Sequence, residues 1–354
     1  MLESPLTVVV GGGGVGKTTI AATLGLAYAR QGQETLVMTF DPSLRLKDAL
    51  GIGDETDAEV RVETETPGTL WASLLDPRAT FDRLVHQYAP DEAARRRILD
   101  NRFYDHLAGS LAGVLEYMAS ERLFEVQQAG RFDRIILDTP PTRQALDFLA
   151  APERIVGFLD SGALRIALKP WFDASGQLRP TSRLGPFGRN VEKFFDRMVG
   201  LELLRDMAEF FQAFSPLFGG FRQRALDVQA LLRSSDTGFV LVSGPGSRRV
   251  ADSLFFARKL QEHGHHLAAV VVNRVHPLLD DVEPSSDPIA AARDGRQLLA
   301  WLGRHDREGL NMLLDLLGGS HPVIALPLLP EEPTGIQALH RMGDLLEERL
   351  RSRA

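Results

Sequence analysis

Gly11-Gly12-Gly13-Gly14-Val15-Gly16-Lys17-Thr18 decides the fold. The stretch satisfies the pattern G-x-x-x-x-G-K-[ST]. It stands between a short β-branched run, Leu6–Val10, and a segment at helical spacing, Lys17–Gln31. That is the strand–loop–helix context the pattern requires. Glycines let a backbone turn tightly and aim successive N–H groups at phosphate oxygens. A helix N-terminus adds partial positive charge. Gly13, Gly14, Val15, Gly16, Lys17 and Thr18 are therefore candidate phosphate-binding residues. Lys17 would reach the β- and γ-phosphates, and the Thr18 hydroxyl would ligate Mg²⁺. The plainer alternative is a glycine-rich turn that only joins strand to helix.

Working outward, Thr35–Phe40, Thr69–Leu75, Arg131–Asp138, Gly238–Ser243, Leu267–Asn273 and Pro322–Leu326 read as further strands, each near a helical segment. Such alternation predicts an α/β protein, a mostly parallel sheet with helices on both faces. The polar stretch Asp54–Gly68 reads as loop or edge, and Asp76–Gly130 as helical. Ala150–Ser234 holds no convincing strand and reads as a helical insertion. The expected division is 1–149 as the N-terminal part of the core, 150–234 as the insertion, and 235–354 as the C-terminal part. In open parallel sheets ligands lie beyond the carboxyl ends of the strands. Two acids stand at such ends. Asp138 closes the strand Ile135–Leu137 and would hold Mg²⁺ through water; Asp41 follows Leu36–Phe40 and would orient an attacking water. An ordinary turn or cap aspartate is the alternative for each.

The chain has 354 residues, 44% of them hydrophobic, a net charge of -7 and no cysteine. This is the composition of a globular protein. Without cysteine there are no disulfides, thiolate metal sites, iron–sulfur clusters or thiol nucleophile. The acidic balance argues against a nucleic-acid partner. His263, His265 and His266 lack the i, i+4 spacing of a zinc pair and read as a polar loop. No apolar run approaches a membrane span. Met1–Pro5 has neither a positive stretch nor a cleavage site, so a cytoplasmic location is expected.

Eight of the 19 phenylalanines lie between Phe187 and Phe221. Phe195, Val199, Leu203, Met207, Phe210, Phe214 and Phe218 form one stripe at helical spacing, which Pro216 and Gly219-Gly220 should interrupt. The stripe reads as the core of a helical subdomain. Ile336–Leu350 is amphipathic, yet its polar face mixes Glu347 and Glu348 with Arg341 and Arg349. It lacks the aromatic anchors of a membrane-surface helix.

Several motifs in order carry a family resemblance: Gly13-Gly14-Val15-Gly16-Lys17-Thr18-Thr19, Asp41-Pro42-Ser43-Leu44-Arg45, Leu137-Asp138-Thr139-Pro140-Pro141-Thr142, Val272-Asn273-Arg274, and Pro327-Leu328-Leu329-Pro330-Glu331-Glu332. Together they resemble the arsenite-pump and tail-anchored-protein-targeting ATPases, a branch of the MinD/ParA class of P-loop ATPases. The resemblance implies an ATP/ADP- and Mg²⁺-binding ATPase. It makes Asp41 and Lys17 catalytic, adds Thr19 to the phosphate loop, and places Thr18 and Asp138 at the metal. It makes Asn273 the adenine reader, with Pro327, Leu328 and Pro330 flanking the base. An amide suits that task, since it both donates and accepts.

The sequence departs from the family's pattern at Gly12, where a lysine usually reaches across a dimer to the partner's phosphates. Pairing with a paralogue that keeps the lysine, recruitment of Arg45 and slow turnover all stay open. A single phosphate loop implies a homodimer or a heterodimer with a paralogous ATPase. Without cysteine, neither a thiolate arsenite site nor a zinc-thiolate clamp carries over. The targeting branch of the resemblance implies that the phenylalanine-rich stripe could instead form an apolar groove for a hydrophobic protein client. A nucleotide-sensing interaction protein with weak catalysis, acting with a paralogous partner or a hydrophobic client, is the alternative to a dimeric, nucleotide-driven switch.

Overall fold

The computed structural model describes residues 2–40, 45–53, 58–105, 113–160, 201–279, 281–283, 287, 289, 292–317 and 319–351. Every residue of β1 (Leu6–Gly11), β2 (Thr35–Thr39) and β6 (Thr237–Ser243) is buried. Strands covered on both faces have no polar side to alternate with, which is why their sequences are near-continuous apolar runs.

With β3 (Val60–Arg61), β4 (Leu70–Leu74), β5 (Arg134–Asp138), β7 (Leu267–Val275) and β8 (Val323–Pro327) these strands form one eight-stranded sheet in the order β3-β4-β2-β5-β1-β6-β7-β8. All pairings are parallel except β3 with β4, an antiparallel edge of two paired positions. The expected parallel α/β sheet is therefore present. The polar stretch before Gly68 contributes that short edge. β5 returns from far along the chain to lie between β1 and β2, pairing Val9 with Asp138 on one side and Thr39 with Asp138 on the other.

Helix α1 (Lys17–Arg30) crosses this sheet with most of its residues buried. It comes so close that a Cβ on Gly25 would strike the Val37 side chain. Its other side receives the C-terminal helix Ile336–Arg351, which buries Leu339, Met342 and Leu346 and comes close enough that a Cβ on Gly343 would stand 3.8 Å from the Ala27 and Thr23 side chains. The apolar face of that helix is thus occupied by the protein's own core. Among the described residues no helix is long and apolar enough to cross a membrane.

By contacts the chain divides into two units. Met1–Leu75, Glu125–Leu146 and Leu231–Ala354 carry the sheet; Asp76–Phe124 and Asp147–Ala230 form a helical unit. The helical unit includes α2 (Pro77–Tyr88), α3 (Glu92–Leu99), α4 (Leu201–Phe214) and α5 (Phe218–Arg233). Asp76 and Asp91 cap the first two, their carboxylates accepting from Ala79 N at 3.1 Å and Ala94 N at 2.7 Å. The core is aromatic. Phe214 sits 4.8 Å from Phe221, 5.2 Å from Phe210 and 5.9 Å from Phe81, ring centre to ring centre. Phe187, Phe194 and Phe195 lie outside the described residues.

The interruption expected at Pro216 and Gly219-Gly220 occurs only at the proline. Ser215–Leu217 forms a 3₁₀ turn, and both glycines continue into the first turn of α5. There Gly220 makes room for a ring, since a Cβ would stand 2.8 Å from Tyr88. Close helix packing, not helix breaking, accounts for the glycine.

Candidate functional site

The loop between β1 and α1 takes its shape from three glycines with positive φ: Gly11 at 148°, Gly14 at 71° and Gly16 at 94°. Sterics at two of them are decisive. A Cβ on Gly11 would strike the Val242 carbonyl of β6, and one on Gly16 would strike Asn273 Nδ2. Around Gly14 the space is open.

Helix α1 begins in an unusual way. Its N-cap is Gly16, no side chain caps it, and its first turn holds no acid. Helix starts ordinarily carry a polar cap or an acid to meet the exposed N–H groups and the dipole. A helix start without either is open to an anion. Lys17 is buried at 7% exposure and its Nζ donates to Gly12 O at 2.9 Å, inside the loop.

Asp138, 1% exposed, ends β5 directly beside the loop. Its Oδ2 accepts from Thr18 Oγ1 at 2.7 Å and from Thr39 Oγ1 at 3.2 Å. Thr139 Oγ1 in turn donates to Val9 O at 2.8 Å, fixing the turn after the acid to β1. A hydroxyl and a carboxylate in contact make a hard, all-oxygen donor set suited to Mg²⁺. Among the described residues no group of three or more His, Asp or Glu forms a metal cage. Mg²⁺ ordinarily needs none, because water and substrate phosphates complete its shell. The residues present fit the ion. Asp41 lies outside the described residues.

On the other side of the loop a cavity of about 220 Å³ is walled by Thr19, Asn273, Arg274, Pro327, Leu328 and Glu332. Its apolar walls and peripheral charges suit a planar base. The structure thus brings Thr19, Asn273, Pro327 and Leu328 together. Pro330 is exposed and not part of this wall. Asn273 is 4% exposed, and its amide is engaged at both ends: Nδ2 donates to Val15 O at 2.9 Å, and Oδ1 accepts from Arg274 N at 3.0 Å.

Sequence reasoning assigned no task to Thr39 or Arg274. Thr39 is the last residue of β2, and its only signal is a hydroxyl at a strand's carboxyl end. Arg274 stands beside Asn273 in a quoted motif, but its contacts come from loops distant in sequence. Among the described residues, His263, His265 and His266 belong to no group of three or more potential metal ligands; His265 is buried, with Nδ1 2.9 Å from Leu232 O.

A family model for anion-transporting ATPases matches residues 6–348. Among individual proteins, the chain is 27% identical to ATPase GET3A of Arabidopsis thaliana, over 95% of this chain and 82% of that protein. It is 26% identical to ATPase get3 of Aspergillus terreus, over 95% of this chain and 89% of the relative. It is also 26% identical to ATPase ARSA1 of Chlamydomonas reinhardtii, where the same 95% of this chain spans only 42% of the relative's length. The match runs from the first residue of β1 almost to the end of the C-terminal helix, and the chain belongs to the anion-transporting ATPase family.

Proposed function

We propose that this ATP-binding ATPase works as a Mg²⁺-dependent dimer whose conformation follows the bound nucleotide. The observation that carries the reading is the 2.7 Å contact of Thr18 with Asp138 at the mouth of an uncapped, glycine-shaped loop. Phosphoryl transfer asks little covalent chemistry of a protein; it asks for positioning and for charge stabilisation. The loop amides and Lys17 hold the phosphates and take up negative charge on the β–γ bridge as that bond breaks. Thr18 and Asp138 would hold the ion, which when bound would neutralise charge on the phosphate oxygens. Asp41 orients the water that forms the new O–P bond. Thr19, Asn273, Pro327 and Leu328 receive adenine.

A single phosphate loop per chain supports assembly of two chains, either two copies or this chain with a paralogue. Gly12 favours a second reading, a nucleotide sensor with weak catalysis that acts with a paralogue or a hydrophobic client. The test is ATP turnover with and without Mg²⁺, together with molecular mass by light scattering in ATP and in ADP. Mg²⁺-dependent turnover with an ATP-stabilised dimer is expected. A monomer in both nucleotides would overturn the dimer, and turnover at background would leave the sensor reading.

A further inference from the structure

Two consecutive carbonyls of the phosphate loop are held from outside by two consecutive side chains. Asn273 Nδ2 donates to Val15 O at 2.9 Å, and Arg274 Nη1 donates to Gly14 O at 3.2 Å. The holders are joined to each other, since Arg274 N donates to Asn273 Oδ1 at 3.0 Å. Arg274 is anchored on its far side as well, with Nη2 3.1 Å from Glu332 Oε1. Its φ is 64°, and among the described residues no other non-glycine has a positive φ. Such a conformation persists only where surrounding contacts over-determine it, and functional sites are where it collects. Contact with the loop is close enough that Gly16 tolerates no Cβ against Asn273.

A peptide unit is planar and trans, so the C=O of one residue and the N–H of the next point to opposite sides of the chain. Holding Gly14 O therefore sets the direction of Val15 N–H. Holding Val15 O does the same for Gly16 N–H. We infer that Asn273 and Arg274 are positioning residues for phosphate binding: they fix the carbonyl side of two loop peptides so that the amide side is aimed before the ligand arrives. Donors fixed in advance need no reorganisation when charge appears, and that makes them effective. Glu332 extends the chain of contacts to the loop after β8, tying that loop's position to the aim of the amides.

The inference rests on the reading that this loop binds the phosphates of ATP. It differs from adenine reading in what each predicts for a ligand without a base. The experiment is calorimetric titration of the full chain with Mg²⁺–ATP and with Mg²⁺–tripolyphosphate, for the wild type and for Arg274→Ala, Arg274→Lys and Asn273→Ala. Arg274→Ala is expected to weaken both ligands by the same factor, roughly tenfold for one lost charge-assisted bond; Asn273→Ala is expected to weaken tripolyphosphate as well, and ATP by more, since it also loses a wall of the base cavity. Arg274→Lys, which keeps a donor for Gly14 O, is expected to recover most of it. In nuclear magnetic resonance spectra of the ligand-free chain, the Val15 and Gly16 amide signals should move in Arg274→Ala.

Unchanged tripolyphosphate affinity in Arg274→Ala would overturn the inference, whatever happens to ATP. Arg274 is an exposed side chain, so this arm stands even if Asn273→Ala fails to fold. A wild type that binds neither ligand would overturn the ATPase reading itself, a different result.

Discussion

Thr18 and Asp138, 120 residues apart in the chain, meet through a 2.7 Å hydrogen bond. The contact exists because β5 inserts between β1 and β2, which sets the end of β5 against the first turn of α1. Asp138→Asn keeps an acceptor for both threonines but removes the charge a divalent ion needs. ATP hydrolysis is expected to fall roughly 10²–10³-fold, the scale of losing one electrostatic contact to a reacting phosphate. Metal-free ATP binding should persist. Steady-state turnover across a Mg²⁺ titration, with calorimetry in chelator, checks both halves.

Gly14 and Gly16 separate backbone strain from collision. Both have positive φ, but only Gly16 faces an atom where a Cβ would go. Gly14→Ala should cost about 1–2 kcal/mol for the left-handed backbone. Gly16→Ala should add ~1–3 kcal/mol, because Asn273 must move. Urea unfolding of the two variants gives the comparison, and equal losses would contradict the contact with Asn273.

The sheet was legible because six of its strands are apolar runs and the glycine loop names the first. Strand order was not. Nothing local to Arg134–Asp138 states that it lies between β1 and β2, so the company Asp138 keeps, Thr39 above all, had to come from the structure. Asn273 shows the same limit in another form. Amide chemistry suggests a base edge, but an amide is equally served by the loop carbonyl at 2.9 Å. The glycine pair in α5 misled for a related reason: a glycine that admits the Tyr88 ring has the same one-letter signature as one that breaks a helix. Asp41, read as the acid that orients water, lies outside the described residues.

His265 should make stability depend on pH. Burial pushes its imidazole below the ordinary 6.5; the Leu232 carbonyl opposes this, while Arg233 and His263 add to it. The Phe239 ring, 5.0 Å away, completes its surroundings. Below 6.5 the unfolded chain therefore binds a proton that the folded chain resists. Stability is full above that value and falls as pH drops through it toward the lower folded value. Denaturant midpoints from about pH 8 to about pH 5 should decline more steeply in the wild type than in His265→Gln. Parallel profiles would show that the ring accepts its proton freely in the folded state.

Phe214 distinguishes core from groove. It is 7% exposed and packed among Phe81, Phe210 and Phe221. Phe214→Ala is expected to cost about 3–5 kcal/mol in urea unfolding, as for a buried aromatic. A residue lining an open client groove would change stability little and peptide capture much.

Gly12 is the loop position at which the family's pattern has a lysine. The positive-φ glycines on either side are Gly11 and Gly14, and Gly12 is not among them, so its backbone conformation does not itself demand glycine. The neighbouring hollow is lined by Gly12, Ser243, Arg249 and Asp252. Lys17 already contacts Gly12 O, so a second ammonium at this position is expected to reach outward and not into the loop. If catalysis is limited by charge missing from a partner's site, Gly12→Lys should raise turnover per chain at least about tenfold, a small part of what an added cation supplies in related phosphoryl transfers. The gain should grow with protein concentration as dimers form. A gain independent of concentration would mean that the new charge acts on its own chain's phosphates. No gain at all would mean that charge at this position does not limit turnover.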